Sequence, residues 1–173
     1  MYMPEYKIVL RKLLSLVDFE RYTGPRGPRV KFDLRRMESL LEMLGNPHSQ
    51  VPTIHVAGTK GKGSTVAMVA SVLSQQGFRT GTFISPHLHS FRERISVNGE
   101  AISQNEFVEL FEHIWPHTKL LAEQSAVGSI TLFEILTAMA GQKTAIDLGR
   151  SLGRNDVGLA AADQDRGYQC VAH

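Results

Sequence analysis

The chain has 173 residues, 42% apolar and 21% charged, an ordinary globular mix long enough to bury about two thirds of its unfolded surface as one domain. Nineteen basic against seventeen acidic residues leave a net charge of +2, too balanced to predict binding to nucleic acid or to a membrane surface. Any positive site must therefore be local.

In chain order, residues 5–17 place Ile8, Val9, Leu13, Leu14, Leu16 and Val17 near helical spacing. Charges throughout this N-terminal stretch argue for a helix of the fold and against the expectation of a signal peptide. Two Gly-Pro steps make 24–32 a loop. Asp33 can cap a helix that closes at Gly45, with Pro47 just beyond; its stripe of Leu34, Met37, Leu40, Leu41 and Leu44 belongs against a core. A strand at 53–57 runs into a glycine loop, followed by a helix from about 63 to 76 that Gly77 ends, and by a second strand at 79–85. Asn98-Gly99 is the strongest short hairpin signal in the chain. Ser103 and Glu106 form a capping box for a helix over 104–115, with Trp115 and Pro116 as its packed end. A last helix over 130–140 is almost wholly apolar and so should be buried. Nothing approaches the roughly 18 uninterrupted apolar residues of a membrane span, and the single cysteine, Cys170, reads as an unremarkable thiol in a fraying end. The expectation is a cytoplasmic protein.

Strand, loop, helix and strand make a βαβ unit with a right-handed crossover, so the fold class is α/β, a parallel sheet flanked by helices. The loop carries the chemistry. Gly58, Gly61 and Gly63 let the backbone turn tightly and bring its N–H groups close to a ligand. It feeds a helix N-terminus, where unpaired N–H groups and the helix dipole favour an anion. Lys62 adds a full charge, and Ser64 and Thr65 offer hydroxyls in the first turn. A polyphosphate fits every one of these features. The spacing departs from the strict Walker A loop, since Gly63 separates Gly61-Lys62 from the hydroxyl pair.

The stretch HVAGTKGKGST resembles the variant P-loop of the Mur ligase superfamily, specifically that of folylpolyglutamate and dihydrofolate synthases. FDLRRMESLLEMLGNP before it, and ISPHLHSFRERISVNGEAIS and TLFEILTAMA after it, resemble further segments of that family in the same order, over about residues 5–140. The resemblance implies the central ATPase domain of such a ligase, with ATP held by Gly58, Thr59, Lys60, Gly61, Lys62, Gly63, Ser64 and Thr65, and Lys62 as the catalytic cation. It implies an acyl phosphate made from MgATP and a folate or dihydropteroate carboxylate, attacked by L-glutamate. Its substrates are then small molecules, with no nucleic acid or membrane partner, and the parent enzyme is expected to be a monomer.

By the same resemblance Ser85 and Glu134 match magnesium ligands. A serine before proline is also an ordinary turn residue, and Ser64 is a competing ligand. Glu134 is the only charge in SITLFEILTAMA, so it should either meet a cation or lie in a helix less buried than expected. His87 is expected in the substrate region, and Arg92 and Arg94 could bind a carboxylate or could be solvated on a strand edge. His89 stays unassigned, and no ligand spacing around it supports zinc.

After Ala140 the likeness stops. Residues 141–173 read as an off-pattern tail, disordered or non-native to the fold, in which only TAIDLG could be a strand. The resemblance implies a C-terminal ligase domain, a third magnesium ligand and a modified lysine, which residues 141–173 are not expected to supply. The expectation is therefore an inactive, truncated or frame-shifted fragment. A stand-alone nucleotide-binding module that needs a partner chain is the alternative.

Overall fold

A computed structural model describes residues 3–16, 33–124, 128–149 and 168–172. The loop expected at 24–32 lies outside them, as does the tail between 150 and 167. The chain divides into two compact units, Met1–Asn46 with Ser103–Met139, and Pro47–Ile102 with Ala140–His173.

The first unit is helical. Helix α1 (Pro4–Leu14) starts on a proline with Glu5 in its first turn and ends with Arg11 and Lys12, charges that complement the helix dipole. It buries Tyr6, Val9 and Leu13, while Ile8 and Leu14 face solvent. The inward stripe is therefore shifted from the expected one, because Tyr6 is the larger group. Tyr6 meets Phe107 edge-on, with ring centroids 5.3 Å apart. Helix α2 (Leu34–Met43) is capped by Asp33, whose carboxylate accepts from the Arg35 N–H and from its guanidinium. That side-chain bond to Arg35 holds the Asp33 carboxyl at about 2. Leu40 is buried as expected, but Leu34 is exposed and Arg36 takes the inward position beside it.

Helix α4 (Gln104–Gln124) starts on the expected capping box: Glu106 accepts from the Ser103 N–H, and the Ser103 hydroxyl accepts from the Glu106 N–H. It does not end at Trp115. It continues through Pro116, because burial of Ile114, Thr118 and Leu121 on the same side outweighs the one backbone bond that proline removes. Phe111 and Trp115 stack at 4.9 Å, with the Lys12 ammonium about 6 Å from both rings.

The second unit holds a five-stranded sheet. Its strands are β1 (Thr53–Val56), β2 (Thr80–Phe83), β3 (Ile95–Val97), β4 (Glu100–Ala101) and β5 (Tyr168–Ala172), in the order β1-β5-β2-β3-β4. Helix α3 (Lys62–Gln75) connects β1 to β2. Strands β1, β5 and β2 run parallel, whereas β3 and β4 are antiparallel, so the sheet is mixed. Asn98 and Gly99 both have positive φ and turn β3 into β4 as the sequence predicts. Val66 of α3 is the centre of a cluster with Ile54, Val56, Val69, Ala70, Leu73 and Ile84.

Within the described residues after Ala140 the structure differs from expectation at two places. Helix α5 (Leu132–Gly149) runs straight through TAIDLG, where a strand was expected. Lys143 and Asp147, one turn apart and 2.9 Å from each other, form a buried pair along it, and Thr144 donates to the Ala140 carbonyl. Residues 168–172 are part of the sheet. Strand β5 lies between β1 and β2, with Cys170 level with Ile54 and Thr82, so both neighbours find their backbone partners there.

Candidate functional site

The glycine loop joins β1 to α3. Gly61, at the N-cap of α3, has φ +77°, a conformation that disfavours any residue with a Cβ. No side chain caps the helix, so its first-turn N–H groups point out of the loop. Lys62 folds back, its Nζ donating to the Gly58 carbonyl at 2.7 Å. Thr65 is also committed to the loop, donating through its hydroxyl to the Gly61 carbonyl at 3.0 Å. Thr59, Lys60 and Ser64 are exposed. Gly63 has ordinary backbone torsions and open space where a Cβ would sit, so the fold does not demand glycine there.

A groove of about 530 Å³ starts at Gly63 and runs along α3, facing Thr82, Ile84 and Ser96. No lysine lines it, and Gly63 at the start of α3 is where it meets the glycine loop.

The loop after β2 is organised by a residue that sequence reasoning passed over. Glu93 accepts the backbone N–H groups of Leu88 at 2.9 Å, His89 at 3.1 Å and Ser90 at 2.8 Å. The Leu88 N–H above all, with those of His89 and Ser90, pushes the Glu93 carboxyl below its usual range. A lowered carboxyl contributes order above its unfolded-state value and loses it as pH falls through the folded one. Amide-exchange protection at 88–90 should accordingly persist from neutral pH down to the ordinary carboxylate range and vanish below it. In Glu93→Ala it should be absent at every pH.

Ser85 follows β2, half-buried, and its peptide bond to Pro86 is cis. Arg94 is not a solvated strand-edge residue. It is buried, its Nε donates to His87 Nδ1 at 2.8 Å, and its guanidinium lies 5.5 Å from the centre of the Phe91 ring. His87 packs on the same ring. Because Nδ1 accepts this bond, the proton of a neutral His87 sits on Nε2. Arg92 donates to the Ile102 carbonyl at 3.1 Å. The structure thus joins His87 to Arg94 and turns Arg92 to a backbone carbonyl.

Glu134 does meet a cation, and within the helical unit that cation is Arg36. The Arg36 guanidinium donates to Glu134 Oε1 from Nη2 at 3.1 Å and from Nε at 3.2 Å. Glu134 Oε2 accepts the Thr131 N–H at 2.8 Å while the Thr131 hydroxyl accepts the Glu134 N–H, a capping box at the start of α5. The signal was present in the sequence as Thr-x-x-Glu ahead of an apolar run. Among the described residues no group of three or more His, Cys, Asp or Glu is arranged to hold a metal ion.

No family model matches the chain. Individual relatives do. The dihydrofolate synthase/folylpolyglutamate synthase of Bacillus subtilis is 48% identical over 111 residues, which are 64% of this chain and 26% of that protein. The protein of the same name from Mycobacterium tuberculosis is 37% identical over 137 residues, 75% of this chain and 28% of that one. This chain is related to the folylpolyglutamate and dihydrofolate synthases. The folylpolyglutamate synthase structure from Thermotoga maritima superposes with a TM-score of 0.75 at 34% identity, covering 96% of this chain and 32% of that one. Such coverage reaches past Ala140, in keeping with the places of α5 and β5. The M. tuberculosis folylpolyglutamate synthase complexed with ADP and AMPPCP superposes at 0.73, with 30% identity over 97% of this chain and 31% of that one. The chain spans roughly a quarter to a third of the length of these relatives.

Proposed function

We propose that this chain supplies the MgATP-binding part of a cytoplasmic, monomeric ligase that joins L-glutamate to folate or dihydropteroate through an acyl phosphate. The uncapped N-terminus of α3 beside Lys62 is the observation that carries this reading. The ADP, AMPPCP and folate named with related structures agree with it. In the proposed site the α3 N–H groups bind phosphate oxygens, and the Lys62 ammonium keeps one proton on Gly58 while its other two meet the transferring phosphate. Positioning and charge supply most of the rate in such transfers.

Magnesium, when bound, would neutralise phosphate charge. Ser64 fits it best, since its hydroxyl is exposed at the first turn of α3 and has no hydrogen-bond partner among the described residues. Ser85 follows the C-terminal end of β2, where ligands gather in open α/β sheets. Glu134 comes to the metal role through the family likeness alone, because both its oxygens already accept protons in the helical unit. His87, held by Arg94, is assigned to the substrate region, and Arg92 to supporting the same loop.

The test is MgATP binding by calorimetry, then phosphate release with folate and glutamate. Lys62→Ala removes a charge-assisted bond of about 2 kcal/mol, so binding should weaken by about thirtyfold. MgATP affinity unchanged in Lys62→Ala would overturn the loop assignment. A second reading, a stand-alone nucleotide-binding module, is favoured by β5, which completes the sheet beside the loop from within the chain; a partner chain would then have to supply the rest of an active enzyme. Tight MgATP binding without folate-stimulated phosphate release would select it.

A further inference from the structure

Helix α4 carries an arrangement that nucleotide chemistry does not use. His113 and His117 stand one turn apart on the same face, with ring centroids 6.1 Å apart and planes inclined at 72°. His113 is exposed and His117 half-buried. Among the described residues neither ring makes a protein hydrogen bond, so their lone pairs are uncommitted. Pro116 lies inside the helix between them and has no N–H to give to the carbonyl one turn back, at Glu112. The two imidazoles therefore span the turn of α4 that is short of one backbone bond.

We propose that His113 and His117 form a two-point chelate for a divalent transition metal, an ion that clips α4 across the turn Pro116 weakens. Neutral imidazole is the commonest protein ligand for such ions, and metal–nitrogen bonds of about 2.0–2.1 Å bring both rings toward one point between them. His113 is exposed, so solvent surrounds its ring as it turns toward that point. No third protein ligand completes a cluster among the described residues, so water fills the remaining positions and the ion exchanges readily. Glu109, an exposed carboxylate one turn before His113, adds negative charge nearby without joining such a cluster. Imidazole is a borderline-soft donor, so the site should follow the order copper(II), then nickel(II), then cobalt(II), and ignore magnesium. It is thus separate in place and in chemistry from the magnesium role proposed above.

The experiment titrates the untagged 173-residue chain with copper(II), nickel(II), cobalt(II) and magnesium, following heat, helicity by circular dichroism and the thermal midpoint. One copper or nickel ion per chain should bind, raise the midpoint, and be withdrawn by a chelator, which returns the midpoint to its starting value. His113→Ala and His117→Ala should each weaken binding by about tenfold or more, because even outer-shell partners of a metal contribute that much. His48→Ala, at an exposed position outside α4, should leave it unchanged. Equal copper affinity in the double variant His113→Ala/His117→Ala would overturn the chelate. Binding that leaves the thermal midpoint and helicity of the unsubstituted chain where they were would overturn the clip.

Discussion

Arg36→Ala should lower the unfolding free energy of the chain by about 3 kcal/mol, read as a lower urea midpoint with an unchanged slope. The Arg36 side chain is 3% exposed and that of Glu134 16%, so the pair is largely out of water. Taking the guanidinium away leaves a carboxylate with one backbone N–H and little solvent, and an uncompensated charge in that setting outweighs the modest net worth of the intact pair. Glu134→Gln should cost less, because glutamine can still take the Thr131 N–H at the start of α5. The double variant Arg36→Met/Glu134→Gln should recover most of the loss, since no charge is then stranded. A double-mutant cycle in which the two losses simply add would mean that the 3.1 Å contact carries no coupling. The same variants separate the two roles open to Glu134. Loss of stability that is the same with and without magnesium points to the structural pair, whereas a magnesium-dependent part points to the metal.

How much of this was legible in the sequence depended on how local each device is. The Asn98-Gly99 turn, the Ser103/Glu106 capping box and the Asp33 cap are set by residues within a few positions of one another, and each forms as expected. The glycine loop was legible for the same reason, down to the hydroxyl pair, although only geometry shows that Thr65 is committed to Gly61 while Ser64 is not. The Thr131/Glu134 box was equally local, but an isolated carboxylate in an apolar run drew attention to metal first. Arg36 could not be found this way. An arginine in an amphipathic helix reads as solvated until its partner, 98 positions further on, is known to face it. Strand β5 is the extreme case. Its pairing to β1 and β2 spans more than 80 residues, and a five-residue strand without strong alternation gives no signal of its own. The polar character of the residues around it then suggested a tail.

Gly81→Ala should destabilise the sheet unit by about 2 kcal/mol, and the cause is a contact rather than a torsion. Gly81 lies in β2, where the backbone is ordinary and any residue could adopt it. A Cβ placed there would come within 2.6 Å of the Thr144 hydroxyl oxygen and 3.0 Å of its methyl group. Thr144 cannot swing aside cheaply: it is 2% exposed, and its hydroxyl donates to the Ala140 carbonyl one turn earlier in α5. Either the helix moves off the strand or the threonine leaves its rotamer and its hydrogen bond. Thr144→Ala alone should cost about 1 kcal/mol, from lost packing and one hydrogen bond. Combined with Gly81→Ala it removes both of the closest atoms and leaves the Thr144 Cβ position, at 3.3 Å, as the nearest contact. The double variant should therefore be more stable than Gly81→Ala, the reverse of what independent losses would give. Urea midpoints of the four chains decide it. If the Thr144→Ala change deepens the Gly81→Ala loss instead of relieving it, α5 does not rest on β2 through this pair. Because β2 runs directly into the Ser85–Pro86 peptide, the same four chains also test a functional link. Amide protection at 88–90 should fall in Gly81→Ala and return in the double variant, if the seating of β2 under α5 sets the loop that carries His87.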